Sequence, residues 1–358
     1  MSKYWSKLAA RLEPYVPGEQ PKDKKYIKLN TNENPYPPST NVLEAIKAAA
    51  DERLKLYPDP NGDELKSILA DYFGLKKEQI FLGNGSDEVL AFSFMAFFDA
   101  QHPILFPDIT YSFYPVYANL FKIDYELIPL KDDFTLPVDQ FFKSNGGIIF
   151  PNPNAPTGDC VTLEAIEEVL LHNKEHVVII DEAYIDFGGE SAQKLIDQYP
   201  NLLVVQTLSK SRSLAGLRVG FALGHKDLIE GLNRIKNSIN SYTLDRLALA
   251  GAIEAVKDDE YFQSTRNKVI QTREKVTLEL RKLGFKVITS KANFVFISHP
   301  LIQAADLFMS LKKESILVRY FQQPRIDNYL RVSIGSDAEM DSFLHVIHKI
   351  ISSGFPHQ

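Results

Sequence analysis

An α/β fold on a mostly parallel sheet, followed by a smaller α+β unit, is what the chain predicts, and three observations carry it. Between about residues 55 and 240, short apolar runs alternate with helical stretches, the order of strand–helix–strand units. The runs are continuous, as in Val177-Val178-Ile179-Ile180 and Leu202-Leu203-Val204-Val205, which suits strands covered on both faces. Beyond about residue 260 the alternation stops and short strands gather with only two helices among them.

Taken in order, the first thirty residues are polar and broken by Pro14, Pro17 and Pro21, and predict an arm laid over a neighbouring surface. The stretch from Leu29 to Pro38 is too rich in proline and asparagine for a regular element. Asn41 is placed to cap a helix running to about Arg53. Tyr57-Pro58-Asp59-Pro60-Asn61-Gly62 is a turn, then Asp63 to Phe73 reads as a helix ended by Gly74. A strand at Ile80 to Leu82 leads into Gly83-Asn84-Gly85-Ser86-Asp87-Glu88 and an apolar helix from Val89. Strands are predicted at Ile104 to Phe106 and Asp124 to Ile128, with a helix from Phe113 to Phe121 between them. Another, Gly147 to Phe150, ends at the proline-rich loop Pro151 to Gly158. Thr162 caps a helix from Leu163 to Asn173. The apolar runs at 177–180 and 202–205 follow, then a strand from Val219 to Leu223. A long helix from Tyr261 to Leu283 connects to the second unit. There, strands are predicted at 285–288, 294–297, 316–318 and 329–334, and helices at 304–312 and 340–351.

Composition narrows the function classes. The formal net charge is −6, which argues against a broad nucleic-acid or anionic-membrane surface. Cys160 is the single cysteine, so no disulfide can form within the chain and a thiolate metal site is not expected. The start lacks an apolar stretch of the secretory kind and no apolar run reaches spanning length. The expected location is the cytoplasm, without nucleic-acid or membrane partners.

Chemistry-bearing residues gather at the ends of the apolar runs. Lys210 lies just past one of them, where open α/β sheets bind ligands. Ser209 precedes it and Arg218 follows eight residues later. An amine able to form a Schiff base, a hydroxyl and a guanidinium suit an aldehyde cofactor with a phosphate tail. Gly85, between a strand and a helix, lets main-chain N–H groups approach a phosphate, with Ser86 and Asp87 beside it. A dinucleotide fingerprint fails there, because the third glycine is missing. Asp181 ends an apolar strand, and an ionised carboxylate there needs a partner; a protonated pyridine nitrogen would serve, or the next turn's N–H groups. Tyr184, three residues on, could bond the ring's 3-oxygen, and Tyr111 could stack on the ring face. Arg319 and Arg331 lie on late strands, either solvated or gripping an anionic substrate.

These motifs resemble those of the fold-type-I pyridoxal-phosphate-dependent aminotransferases. The resemblance rests on Asn152 to Gly158, Asp181-Glu182-Ala183-Tyr184, Thr207 to Lys210, and Leu214 to Gly220. Within that family, Pro14 to Gly18, Leu29 to Pro35, Tyr57-Pro58-Asp59, Gly83 to Glu88 and Tyr329 to Gly335 are similar to the histidinol-phosphate aminotransferase subgroup. It implies a large domain with a seven-stranded, mostly parallel sheet at 36–255, a small α+β domain at 256–358, and an N-terminal arm at 1–35 that joins the small domain. It also implies pyridoxal 5′-phosphate, a homodimer with shared active sites, and ping-pong exchange between histidinol phosphate and 2-oxoglutarate. By resemblance, Lys210 is the Schiff-base lysine and Asp181 partners the pyridine nitrogen. Tyr184 bonds the 3-oxygen, Tyr111 stacks on the ring, and Ser86, Asp87, Ser209 and Arg218 hold the phosphate. Tyr57 reaches the other subunit's phosphate. Tyr15, Arg319 and Arg331 hold the substrate's anionic end, under the segment containing Asn32. The family's asparagine before Pro-Thr-Gly is Ala155 here, which leaves its contact to Tyr184, alone or with Asn154 or Asn152. An aromatic or broad-specificity aminotransferase, a threonine-phosphate decarboxylase and a non-catalytic cofactor-binding module are the rival readings.

Overall fold

The described residues form two sheets. The computed structural model describes residues 3–16 and 18–352; Pro17, one of the prolines of the arm, lies outside the described residues. The strands in chain order are β1 (Ile27–Leu29), β2 (Ile80–Asn84), β3 (Ile104–Pro107), β4 (Tyr125–Ile128), β5 (Ile148–Pro151), β6 (Val178–Asp181), β7 (Leu202–Thr207), β8 (Val219–Gly224), β9 (Lys286–Ile288), β10 (Phe294–Ser298), β11 (Ile316–Tyr320) and β12 (Leu330–Ser333).

The larger sheet has seven strands in the order β2-β8-β7-β6-β5-β3-β4. From β7 to β4 every pairing is parallel. Only β8 runs against its neighbours β7 and β2. The expected mostly parallel seven-stranded sheet is therefore present. Its continuous apolar runs feed two cores, because successive side chains leave opposite faces of a strand. Phe150, Ile180, Val204 and Leu223 pack on one face; Ile149, Ile179, Leu203 and Val205 pack on the other. In the parallel set, Pro151, Asp181 and Thr207 stand at the carboxyl ends of adjacent strands.

The smaller sheet has the order β1-β11-β12-β10-β9. Strand β1 departs from the expectation of an irregular arm up to residue 30. It pairs in parallel with β11, and three residues held by a distant strand leave no periodic signal. A third core lies against this sheet, and it includes Ala155, Tyr184 and Phe187 from loops of the larger one. The junction of the sheets is thus packed rather than open.

Two helix boundaries also differ from expectation. The first long helix is Thr40–Ala49, and its cap is Ser39, whose hydroxyl accepts from the Val42 N–H; a separate 3-10 turn covers Glu52–Lys55. The helix Gly85–Phe97 begins inside the glycine-containing loop, four residues before Val89. Helices Lys226–Ile239 and Arg246–Lys257 fill a stretch for which no element was predicted. Among the described residues, no helix is long and apolar enough to cross a membrane.

Candidate active site

A cavity opens where the carboxyl ends of β6 and β7 face the smaller sheet. It is lined by Lys210, Asp181, Tyr184, Ser86, Asp87, Tyr111, Ser209 and Arg218 from the larger sheet's side. Tyr15, Asn32, Arg319 and Arg331 line it from the arm and the smaller sheet. Twelve residues chosen from sequence are brought together.

Lys210 follows β7. Its Nζ donates to the Thr31 carbonyl at 3.4 Å and lies 5.7 Å from the centre of the Tyr184 ring. Its main-chain carbonyl accepts from Asn34 Nδ2 at 3.0 Å. Asp181, 3% exposed, ends β6. Its Oδ2 accepts from the Tyr114 hydroxyl at 2.9 Å and its Oδ1 from the Ala183 N–H at 3.2 Å. Burial pushes the carboxyl up to about 6, against the pull of these bonds and of Lys210. Tyr114 gave no sequence signal, since an aromatic residue in an apolar helix reads as core.

Ser86 and Asp87 occupy the first turn of the helix Gly85–Phe97, where main-chain N–H groups are unpaired and the dipole favours an anion. The Asp87 carboxylate is engaged on both oxygens. Oδ1 accepts from the Tyr111 hydroxyl at 2.6 Å, and Oδ2 from Arg218 Nη2 at 3.1 Å. Burial, then the Asp87 charge, holds the Tyr111 hydroxyl well above its ordinary value, so it stays protonated. Close approach explains two glycines. A Cβ on Gly220 would lie 2.3 Å from the main chain of Gly85, and one on Gly85, at φ +76°, would lie 2.4 Å from Arg218 Nη2. Ser209 accepts from the Thr207 hydroxyl at 2.9 Å; Thr207 also lines the cavity and was not singled out.

Arg319 and Arg331 stand directly opposite each other on β11 and β12, so two like charges share one face. Their nearest polar partners are main-chain carbonyls, Val16 at 3.3 Å and Asn30 at 3.2 Å. Neither forms an ion pair among the described residues. Nε of Arg331 is buried without a hydrogen-bond partner among the described residues. Burial pulls Arg331 below the usual guanidinium range, and Arg319 adds to this. A bound anion would relieve the pair.

Comparison with known proteins gives the family. Residues 24–347 match the class I and II aminotransferases. A histidinol-phosphate aminotransferase of Clostridium acetobutylicum is 64% identical over 352 residues, covering 98% of this chain and all of the relative. The chain belongs to the histidinol-phosphate aminotransferase family. A second relative of that name, from Clostridium botulinum strain Okra, is 60% identical over 98% of this chain and 99% of its own. Among solved structures, the Sinorhizobium meliloti histidinol-phosphate aminotransferase in complex with pyridoxal-5′-phosphate superposes with a TM-score of 0.87. It is 22% identical, over 99% of both chains. Another, from Clostridium acetobutylicum, gives 0.84 at 26% identity, over 91% of this chain and 99% of that one.

Class I and II aminotransferases use pyridoxal 5′-phosphate, and the cavity of this aminotransferase fits that group. Asp181 is a buried carboxylate whose partners are neutral, so a pyridinium would supply the missing charge. Ser209, Arg218 and the free N–H groups at the start of the 85–97 helix suit a phosphate. Three expected residues are not among those lining the cavity: Gly85, packed against the Arg218 guanidinium, Asn154 and Tyr57. Asn154 Nδ2 is turned to the Ile109 carbonyl at 3.1 Å and the Thr157 hydroxyl at 2.9 Å, while Asn152 bonds the main chain of Val161. Ala155 lines the cavity, and neither asparagine of this loop does. Tyr57 is 79% exposed and stacks on Tyr242 at 4.6 Å, away from its own chain's cavity.

Proposed function

We propose that the enzyme exchanges an amino group between histidinol phosphate and 2-oxoglutarate, giving imidazole-acetol phosphate and glutamate, a step of histidine biosynthesis in the cytoplasm. The observation that carries this reading is the facing pair Arg319 and Arg331, which has no counter-ion among the described residues and lines the cavity that holds Lys210. Both substrates end in an anion, a phosphate on one and a carboxylate on the other, and paired guanidiniums accept either. Tyr15, stacked on Phe113 at 4.4 Å, walls the same end.

Pyridoxal 5′-phosphate, when bound, supplies a ring that withdraws electrons from the substrate Cα. Lys210 would anchor the cofactor, Asp181 would hold its ring nitrogen protonated, and Ser86, Ser209 and Arg218 would hold its phosphate. Asp87 keeps Arg218 and Tyr111 in place. Tyr111 would cover the ring face, and Tyr184 would donate to the ring oxygen. The Lys210 amine would act as general base at the substrate Cα and, as its conjugate acid, give the proton back within the same half-reaction; the return half-reaction runs the two transfers in reverse. The enzyme works as a homodimer in which Tyr57 reaches the partner's phosphate site.

The test is glutamate formation dependent on histidinol phosphate, set beside phenylalanine and threonine phosphate as competing donors. Histidinol phosphate is expected to give the highest kcat/KM. Lys210→Ala should lose the lysine-linked absorbance and activity together, and turnover in that variant would discard the assignment.

A further inference from the structure

Asn32 sits between the two sheets with almost every hydrogen-bonding group engaged. It is 1% exposed and its main chain is left-handed, at φ +56°. Its N–H donates to Ser333 Oγ at 2.9 Å, and its carbonyl accepts from Asn293 Nδ2 at 2.9 Å. The amide orientation follows from Ser333. That hydroxyl already accepts the Asn32 N–H, so its own hydrogen goes to Asn32 Oδ1, at 2.8 Å. The amide NH2 is thereby turned to the Tyr184 hydroxyl, to which it donates at 3.0 Å.

The consequence lies in the Tyr184 hydroxyl. A phenol oxygen has one hydrogen to give. With Asn32 donating to the oxygen, that hydrogen must point elsewhere, and no protein acceptor for it is found among the described residues. Tyr184 lines the cavity, so the hydrogen is left for a ligand oxygen there. An ionised ring oxygen would accept it as a charge-assisted bond.

We propose that Asn32 is a positioning residue of the cofactor site: it aims the Tyr184 hydroxyl hydrogen at the cofactor's ring oxygen and so compensates for the contact absent at Ala155. This rests on the cofactor assignment above. It also reassigns Asn32, which the resemblance put with the substrate. Its Oδ1 is taken by Ser333 and one amide hydrogen by Tyr184, so a single N–H remains for anything else. The geometry ties β12 and the segment before β10 to the loop after β6, so the hydroxyl is aimed only when the smaller sheet is seated.

The experiment is a double-mutant cycle on the cofactor-loaded enzyme. Asn32→Gly removes the amide while tolerating the left-handed main chain; Tyr184→Phe removes the hydroxyl. The readouts are the pH titration of the bound cofactor's absorbance, the cofactor dissociation constant, and KM for the amino donor. Asn32→Gly is expected to move the titration in the same direction as Tyr184→Phe and to weaken cofactor binding about fivefold, one neutral hydrogen bond's worth. In the Tyr184→Phe background the same change should add less than about twofold. Asn32→Asp should move the titration at least as far as Tyr184→Phe, because its carboxylate would capture the hydroxyl hydrogen. Additive effects, or a raised KM with an unmoved titration, would overturn the proposal. If Asn32→Gly is not recovered folded, Ser333→Ala interrupts the same chain and is read in the same way. Coupling that persists in an enzyme that ignores histidinol phosphate would discard the substrate reading and keep this one.

Discussion

At the scale of single residues, a carboxylate as enclosed as Asp181 makes folding depend on pH in the unusual direction. Burial raises its pKa to about 6, whereas an aspartate in an unfolded chain titrates near about 4. Below that value both states hold the proton. Between about 4 and 6 the unfolded chain releases it first, so stability present at low pH is lost as pH rises through the window. Two units correspond to roughly 3 kcal/mol. Glu182, held by Ser191, Ala192 and Gln206 and pushed up to about 7 by burial, acts in the same sense over a higher window. Cofactor-free Asp181→Asn should therefore gain on the cofactor-free wild type by up to about 3 kcal/mol between pH 4 and pH 7. Some of that is offset, because Tyr114 and the Ala183 N–H donate to different carboxylate oxygens and the amide puts an NH2 in place of one of them. Urea unfolding across this range is the measurement, and a constant difference between the two proteins would show that Asp181 titrates normally. The variant should also bind the cofactor less well, which shows what the cost of burying Asp181 secures.

At the scale of elements, the loop carrying Lys210 is held by contacts its sequence did not advertise. Ser211 donates to Asp186. Arg212 Nη1 donates to the Ala255 carbonyl at 2.6 Å, closing the C-terminal end of the helix Arg246–Lys257. Its guanidinium lies 3.7 Å from the centre of the Phe262 ring and 5.1 Å from that of Tyr72, with Asp259 at 3.5 Å. Arg212→Ala would leave a carbonyl unpaired and a gap between two rings, a loss of roughly 2–4 kcal/mol. Arg212→Lys should lose part of that, since an ammonium keeps the charge but not the stacked plane. Denaturant unfolding of both variants checks the order; equal stability of Ala and wild type would refute the clamp. The same contrast explains what was legible. Strands β5, β6 and β7 could be read because burial on both faces writes a continuous apolar run. Lys210, Asp181 and Arg218 could be read because each sits at a fixed distance from such a run. Tyr114, Arg212 and β1 owe their places to distant partners, and Asn154 is turned aside by Ile109 and Thr157. Ser39 rather than Asn41 caps its helix because its hydroxyl is the one that reaches the Val42 N–H, a choice between near neighbours that residue preference cannot make.

At the scale of the whole molecule, a single chain leaves an ordered apolar surface uncovered. Leu54, Leu56, Tyr57, Ile239 and Tyr242 are exposed, on segments that are nevertheless pinned. The buried Lys236 donates to the Pro60 carbonyl at 2.6 Å and to the Ser241 carbonyl at 3.4 Å, tying the 57–62 turn to the 240–243 loop. Tyr57 stacks on Tyr242 across that tie. Rigid exposed aromatics are what an interface presents, and they agree with the proposed homodimer, where Tyr57 serves the partner's site. Two variants separate the roles of this surface. Leu56→Asp puts a charge among apolar groups and should raise the dimer dissociation constant by at least about tenfold; cofactor affinity should fall with it, because each site loses the residue its partner supplies. Tyr57→Phe removes one hydroxyl and leaves the stack on Tyr242, so the dimer should persist while the cofactor binds about fivefold more weakly. Sedimentation velocity reports assembly, and absorbance titration reports the cofactor. Leu56→Asp protein that is monomeric yet binds cofactor like the wild type would mean that each chain completes its own site and that Tyr57 serves no partner.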